Sequence, residues 1–190
     1  MAFQAQNPDF RAFIEQVFSA QPFMVALGAR LGRVEPGAVE LVLPIRPDHL
    51  QHGGAVHGGV IGAMADNAAG AAAATLLAPG QATVTAEYRI SFLAPAVGDT
   101  LIARGEVLKP GRSLVHTKCD VTVRAGDRET LVATALSSIV PFAVRNGDRH
   151  CEPAGPARNG RPDGKYGEAT SSRIPCRRRP FRRDATFPRS

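Results

Sequence analysis

The feature that most constrains this chain is a run of small apolar residues from Val60 to Leu77. Seven of the ten residues in the stretch 65–74 are alanine, the best helix former, so the run predicts a helix. Because the run is apolar on every side, we expect the helix to be buried over most of its surface. Its length approaches that of a membrane span, but Asp66 and Asn67 near its middle favour a helix in a soluble core.

Six strand-like runs flank this predicted helix, two before it and four after it. The two before it lie at about 25–34 and 38–46, joined by the turn Glu35-Pro36-Gly37. The four after it are joined by short turns and lie at about 83–92, 101–108, 115–124 and 129–141. Strands joined by short turns pair antiparallel, and one small sheet must then bury one apolar helix. The sequence therefore predicts an α+β fold in which an antiparallel sheet wraps around a long central helix.

Two local patterns add detail to this prediction. Asn7-Pro8-Asp9 predicts the start of a short N-terminal helix, with Pro8 at the first helical position. In the strand at 83–92, alternation predicts that one face carries the apolar residues Val84, Ala86, Tyr88, Ile90 and Phe92. Met24, Met64 and Cys119 are predicted to be buried core side chains.

The net charge of +6 belongs to the C-terminal part of the chain. Residues 142–190 hold twelve Lys and Arg against five Asp and Glu, whereas residues 1–141 have a net charge of −1. This part is also rich in proline and lacks helical or strand periodicity, so it cannot bury enough apolar surface to fold. We predict a folded domain at 1–143 and a basic, disordered tail at 144–190. The cluster at 177–183 offers phosphates a basic surface, but a solvated tail is the preferred interpretation, and nucleic acid is not an expected partner.

Cysteine content and the N-terminal residues exclude a small secreted disulfide protein. Three cysteines cannot form a multi-bridge framework, and the first residues lack the basic and apolar regions of a signal peptide. We therefore expect a cytoplasmic protein. His49, His52 and His57 raise the question of a metal site, but no Cys or carboxylate stands beside them at ligand spacing. No metal or cofactor is expected.

Two features of the segment 51–67 are unusual for a purely structural helix. Gly58-Gly59 stands where the helix begins, so its uncovered N–H groups form an anion or oxyanion site, unless the pair is a plain glycine turn. Asp66 lies within the apolar helix, where a carboxylate needs either a structural partner or a functional role. His57 precedes Asp66 by nine positions, which is about 13–14 Å along a helix and half a rotation around it. A catalytic pair of these residues therefore requires two chains, and a second copy would also cover the helix surface that one small sheet leaves bare.

These residues resemble the hotdog-fold acyl-CoA thioesterases of the phenylacetate-type (PaaI-like) group. The family pattern is His-Gly-Gly followed by a helix with an Asp nine residues after the His, here His57-Gly58-Gly59 and Asp66-Asn67. The segments 88–99 and 107–112 add to the likeness, which covers roughly residues 8–141. The resemblance implies a hotdog fold, an acyl-CoA substrate, and two chains paired as a homodimer, often stacked as a homotetramer.

The resemblance also implies catalytic roles. The Gly58 N–H would polarise the thioester carbonyl, with Gly59 as helper, and His57 would shape the turn and orient the thioester. Asp66 of the partner subunit would act as nucleophile or as general base for water. Thr85 falls where related enzymes carry a hydroxyl that positions this water.

Four further residues are predicted to bind substrate. Gln51 falls where some relatives carry an Asn beside the leaving group, and it is longer by one methylene. Asn67 follows the predicted catalytic Asp66. Lys109 and Arg112 are candidates for a basic rim that holds the CoA phosphates, against the alternative that they are solvated turn charges.

The expected reaction is hydrolysis of a small aromatic or short- to medium-chain acyl-CoA to the free acid and CoA. A thioester carbonyl has little resonance stabilisation, so an oxyanion hole and one carboxylate suffice without a metal or a Ser-His-Asp triad. The alternative is a non-catalytic acyl-CoA-binding protein on the same fold, which would bind tightly without turnover. A hotdog dehydratase is a third interpretation, but the two catalytic residues of such enzymes differ from His57 and Asp66 in spacing and in residue type.

Overall fold

The alanine-rich run forms helix α3, Gly58–Ala74, in the computed structural model of the chain, which describes residues 3–144. The helix begins at the glycine pair, as the sequence predicts, and His57 caps its first turn. It ends at Thr75, whose hydroxyl donates to the Ala72 carbonyl and accepts the Gly37 N–H at 2.7 Å. The buried Thr75 therefore ties the end of α3 to the turn between the first two strands.

Six strands form one antiparallel sheet around this helix, as the sequence predicts. They are β1 Arg30–Glu35, β2 Ala38–Pro44, β3 Gln81–Phe92, β4 Thr100–Lys109, β5 Val115–Ala125 and β6 Arg128–Ala143. Their order across the sheet is β1-β2-β4-β5-β6-β3, so β1 and β3 are the two edge strands. Helices α1 Phe10–Ser19 and α2 Pro22–Leu27 precede the sheet, and a short 3-10 turn occupies Pro47–His49.

Small residues allow α3 to lie directly on the sheet. Ala65, Ala68 and Ala72 are fully buried against it. Gly105 in β4 meets the backbone of α3 so closely that a Cβ at this position would overlap the Ala68 carbonyl oxygen. The alanine content of α3 therefore serves close helix–sheet packing as well as helix propensity.

The predicted strand at 25–34 is wrong in its first half, where residues 22–27 form α2. Pro22 occupies the start of this helix, where its fixed φ fits and no N–H is needed. Gly28 ends it in the left-handed conformation, with φ +81°, and its N–H donates to the Val25 carbonyl at 3.0 Å. The apolar residues between Pro22 and Gly28 fit a strand by composition, but the two ends specify a helix.

The N-terminal helix also starts later than predicted. Pro8 lies in a turn before α1, because the Asn7 side chain accepts the Asp9 N–H at 3.0 Å and helical structure begins only at Phe10. Ile14 and Phe18 on this helix are buried as expected.

Other expectations have mixed outcomes. Met24, Met64 and Cys119 are buried, and burial raises the pKa of the Cys119 thiol to about 12, so it stays protonated. Within residues 3–144, no helix is long and apolar enough to cross a membrane. The predicted tail and its basic cluster at 177–183 lie outside the described residues, so the domain boundary stays a prediction.

Candidate active site

The segment before α3 is held by a buried histidine. The ring of His49 is 2% exposed, and its Nδ1 accepts the Arg46 N–H at 3.1 Å. The His49 carbonyl accepts the His57 N–H at 2.8 Å, so the same residue fixes the start of α3. An isolated bridge between Leu50 and Val56 closes the loop between them. His49 is therefore a structural anchor for the segment that carries His57.

A charged pair stiffens the same segment. The Arg46 guanidinium donates two hydrogen bonds to the Asp48 carboxylate, at 3.1 and 3.0 Å, and a third to the Ala26 carbonyl. The hydrogen bond from Arg46 lowers the pKa of Asp48. Both charges face solvent, so the pair contributes mainly to the shape of the loop.

His57 is the N-cap of α3, and its Nδ1 accepts the Gly59 N–H at 2.9 Å. An accepting Nδ1 means that the proton of the neutral imidazole is on Nε2, which is a donor. The side chain is exposed at the mouth of the helix. His57 can therefore offer one N–H to a carbonyl oxygen while it holds the glycine turn with the other nitrogen.

Gly58 differs from Gly59 in its backbone N–H. Among the described residues no acceptor takes the Gly58 N–H, whereas the Gly59 N–H is bonded to His57. The Gly58 N–H lies at the positive end of the α3 dipole, where anions and oxyanions are stabilised. On one side the Phe92 ring packs against Gly58, at 3.3 Å from the position that a Cβ would take. Of the two predicted donors, Gly58 is the one free to bind an oxyanion.

Asp66 is half-buried on the side of α3 that faces away from the sheet. Its Oδ1 atom is buried and has no hydrogen-bond partner among the described residues. Ala63 and Gly70, on the same side of the helix, are also only partly buried, and a Cβ at Gly70 would meet nothing within 4 Å. The carboxylate therefore stands on an open strip of the helix, and its buried oxygen has no structural partner among the described residues.

His57 and Asp66 are not brought together within one chain. His57 caps α3 and Asp66 lies nine residues into it, about 13 Å further along the axis. The helix is continuous between them. As the sequence predicts, any joint action of the two residues requires a second chain.

A β-bulge places Thr85 on the helix side of the sheet. Thr85 pairs with Ile139 and Glu87 with Ser138, so Ala86 is an extra residue in β3. Residues that pair directly across strands share a face, and Ile139 is fully buried beneath α3. Thr85 therefore faces the helix, at the position from which a hydroxyl would approach the site.

Because of the same bulge, the residues on each face of β3 differ from those predicted by simple alternation. After the bulge, Tyr88 pairs with the buried Ser137, so Tyr88 and Thr85 share a face although they are three residues apart. Val84 lies on the other face and is 55% exposed. The prediction that Val84 and Ala86 share a face with Tyr88 is wrong, because one inserted residue changes the phase of the strand.

The predicted substrate-binding residues lie in three different places. The Gln51 side chain is exposed in the loop before α3, and the backbone N–H of Gln51 donates to the Ala55 carbonyl at 2.9 Å. The Asn67 amide donates to the Gln21 side chain at 2.5 Å, which ties α3 to the segment between α1 and α2. Asn67 therefore makes a structural contact within the chain.

Lys109 and Arg112 lie at the far end of the molecule from Gly58. The Val107 N–H donates to the Gly37 carbonyl at 2.8 Å, and Gly37 is bonded to Thr75 at the C-terminal end of α3. A helix of 17 residues, about 25 Å long, thus separates the two basic residues from the glycine turn of their own chain. Within one chain they do not form a rim around this site.

Two aromatic residues of β3 were missed as site residues by the sequence analysis. Phe92 packs on Gly58, and the Tyr88 hydroxyl lies 3.3 Å from the position that a Cβ on Gly62 would take. Both contacts depend on glycines at i and i+4 of α3, which leave space on one side of the helix. The sequence signal that could have identified them is the spacing of four between Gly58 and Gly62, together with the same spacing between Tyr88 and Phe92.

Comparisons with known proteins agree with this arrangement. The thioesterase superfamily model matches residues 53–131, which include the glycine turn, α3 and β3. Human acyl-coenzyme A thioesterase 13 is 28% identical over 123 residues, covering 64% of this chain and 87% of that protein. A thioesterase family protein from Silicibacter pomeroyi is 32% identical, with a TM-score of 0.69, covering 70% of this chain and 98% of that one. The E. coli PaaI protein from the phenylacetic acid degradation operon, at 18% identity, shares the fold with a TM-score of 0.65 over 74% of this chain and 98% of that one.

A sheet wrapped around a long helix that begins at a glycine pair with one free N–H defines a protein of the hotdog fold. The chain belongs to the thioesterase superfamily, a family of thioester hydrolases, and the resemblance found in its sequence is confirmed.

Proposed function

We propose that this protein hydrolyses a small aromatic or short- to medium-chain acyl-CoA to the free acid and CoA. The observation that carries this proposal is the Asp66 carboxylate, which stands on an open strip of an otherwise apolar helix with one oxygen buried and unbonded. A carboxylate without a structural partner costs stability, and a catalytic role accounts for its presence. The CoA thioester class follows from similarity to the human acyl-coenzyme A thioesterase.

The glycine turn supplies the groups that stabilise negative charge on the carbonyl oxygen. In our proposal the free Gly58 N–H donates to this oxygen, and the Nε2–H of His57 orients the thioester from the exposed side. Gly59 supports the site by receiving the cap from His57 instead of contacting the oxyanion. A donor fixed at a helix N-terminus needs no reorganisation when charge develops, which is the basis of oxyanion stabilisation.

A homodimer would bring the carboxylate to this turn. The open strip of α3 and the twelve-residue edge strand β3 are both uncovered in the single chain. A long edge strand with unpaired backbone groups is a template for pairing with another chain. Pairing of two copies along β3 and the open strip would place Asp66 of the partner subunit opposite Gly58. A homotetramer would then consist of two such dimers.

The proposed chemistry needs no further group. Asp66 of the partner subunit either attacks the thioester carbon or removes a proton from the water that attacks it. Thr85, on the helix side of β3, would hold that water. When the tetrahedral intermediate collapses, the carbon–sulfur bond breaks, and the CoA thiolate leaves and takes up a proton. If Asp66 is the nucleophile, this step leaves the acyl group on Asp66 as an anhydride, which water then cleaves to the free acid and the original carboxylate. Gln51, exposed in the loop before α3, would contact the CoA leaving group, and we place the reaction in the cytoplasm.

The test is the Asp66→Asn variant, assayed by thiol release from a panel of small acyl-CoAs. We expect at least a hundredfold loss of kcat, in line with removal of a catalytic base or nucleophile. Asp127→Asn, in the exposed turn between β5 and β6, is the matched control and should retain full activity. Full activity of Asp66→Asn would refute the assignment. Tight binding of the panel by the wild-type protein without thiol release would instead identify a non-catalytic acyl-CoA-binding protein.

A further inference from the structure

The Tyr88 side chain reaches from the edge strand to the second turn of the central helix. Its hydroxyl lies 3.3 Å from the position that a Cβ on Gly62 would occupy. Tyr88 reaches this position because the bulge at Ala86 turns it to the helix side of β3, the side that also carries Thr85. Among the described residues the phenol has no hydrogen-bond partner, Asp66 included, and Tyr88 is 44% exposed. The hydroxyl is therefore a free donor held against one turn of α3.

Asp66 stands one helical turn further along α3 than Gly62. Gly62 and Asp66 are separated by four residues, so they are neighbours on the helix surface. Helical side chains lean toward the N-terminus, so a residue covers the surface of the turn that precedes it. The Asp66 side chain thus leans toward Gly62, where the phenol of Tyr88 is located. Its buried Oδ1 has no partner among the residues that the structure describes.

We propose that Tyr88 is a positioning residue whose hydroxyl, unbonded in the single chain, donates a hydrogen bond to the Asp66 carboxylate of the same subunit once a second chain covers the open strip of α3. This inference rests on the proposed function, since it assigns a role in holding the catalytic carboxylate. With one carboxylate oxygen fixed by Tyr88, the other faces the open strip of α3 and the partner's Gly58. The role differs from that of Thr85, whose hydroxyl is proposed to hold the water.

Two features of the site support this division of work. A neutral phenol is a good donor to a carboxylate, and such charge-assisted bonds are shorter and stronger than neutral ones. Glycine at position 62 lets the phenol lie close to α3, since a Cβ there would stand 3.3 Å from the hydroxyl and push it away by a few tenths of an ångström. The pair would therefore fix the carboxylate in one rotamer before substrate binds.

The kinetic test is Tyr88→Phe, which removes the hydroxyl and keeps the ring that packs on α3. We expect kcat to fall about tenfold, with KM for the acyl-CoA changed less than twofold, because the carboxylate loses its orientation while the substrate contacts remain. Ser91→Ala is the matched control, since Ser91 is an exposed hydroxyl on the other face of the same strand. An unchanged kcat in Tyr88→Phe, or a change confined to KM, would overturn the proposal.

A spectroscopic test keeps Tyr88 in place and so does not depend on how that variant folds. The chain has no tryptophan and two tyrosines, Tyr88 and Tyr166, so a Tyr166→Phe background reports on Tyr88 alone. A carboxylate that accepts a bond from a phenol quenches its fluorescence, so Asp66→Asn in this background should raise the emission. Unchanged emission would show that the bond does not form.

The two tests separate this inference from the proposed function. If Asp66→Asn retains hydrolysis, the catalytic assignment fails whatever the emission shows. If Asp66→Asn is inactive while Tyr88→Phe has the kcat of the wild type and Tyr88 emission does not respond, only the positioning role fails.

Discussion

The imidazole of His57 and the backbone N–H of Gly59 are joined by a hydrogen bond of 2.9 Å through Nδ1. This bond closes the first turn of α3 and at the same time sets the proton of the neutral ring on Nε2. It also uses the N–H of one glycine and leaves that of Gly58 free. One contact thus determines which groups of the turn remain available to a substrate.

Two substitutions at His57 should separate its capping role from its role toward substrate. His57→Ala removes the acceptor for the Gly59 N–H and should lower the free energy of unfolding by about 1 kcal/mol. His57→Asn keeps a capping side chain, so most of the stability should return. Both variants lack the Nε2–H donor, and both should lose activity. Urea unfolding and thiol release measure the two effects, and equal stability of all three proteins would contradict the cap.

Gly105→Ala should be among the most damaging small substitutions in this chain. The added methyl group would overlap the Ala68 carbonyl on α3, and neither backbone can move without separating helix and sheet. We expect a loss of about 3 kcal/mol in the free energy of unfolding. Gly53→Ala is the control, because a Cβ there would meet nothing within 4 Å and should change stability by less than about 0.5 kcal/mol. Similar thermal midpoints for the two variants would count against this packing.

Gly70→Arg tests the proposed dimer. Gly70 lies on the open strip of α3, where a side chain has space in a single chain. A second copy seated on this strip would leave no space for arginine, so the variant should sediment as a folded monomer without hydrolase activity. Gln16→Arg, on the exposed side of α1, adds the same charge away from the strip and should behave as the wild type. An active dimer of Gly70→Arg would exclude this interface.

The outer face of the sheet should make stability depend on acid pH. Hydrogen bonds from Arg104 and then from Thr122 lower the pKa of Glu129 in the folded protein. The unfolded chain therefore binds a proton at this position at higher pH than the folded one. The resulting stability is complete above the usual range of a glutamate, near pH 4.5, and is lost as the pH falls below it.

Arg104→Met should accordingly be less stable than the wild type at neutral pH, and the difference should shrink below about pH 4. Because these charges are partly solvated, we expect the neutral difference to be less than about 1 kcal/mol. Urea midpoints measured between pH 3 and 8 give the comparison. A difference that stays constant across this range would mean that Glu129 does not contribute through its ionisation.

Much of the fold could be predicted because its signals are local. The alanine run specifies α3, and short turns with alternating apolar residues specify most strands and their antiparallel pairing. The error at residues 22–27 arose where a short apolar segment fits either state and only its ends, Pro22 and Gly28, decide. The phase of β3 was not predictable either, since the bulge at Ala86 is set by pairing with β6.

The candidate site was predictable in its residue types but not in its contacts. Gly58 stands out because it is part of a glycine pair at the start of a helix, and Asp66 because it is a charged residue within an apolar run. That Gly59 is used by a cap, or that Asn67 is bonded to Gln21, depends on tertiary structure. The distance of Lys109 from the glycine turn likewise follows from the direction of α3 across the sheet.

The inserted residue in β3 also bears on how this fold can change over evolutionary time. Deleting Ala86 would remove the bulge and leave Thr85 opposite Ile139, on the helix side of the sheet. Straightening the strand without losing a residue would instead put Ala86 opposite Ile139 and turn the Thr85 hydroxyl to the outer face. Comparison of such chains residue by residue has to be anchored on strand pairing, because an ungapped match would equate side chains that point to opposite surfaces.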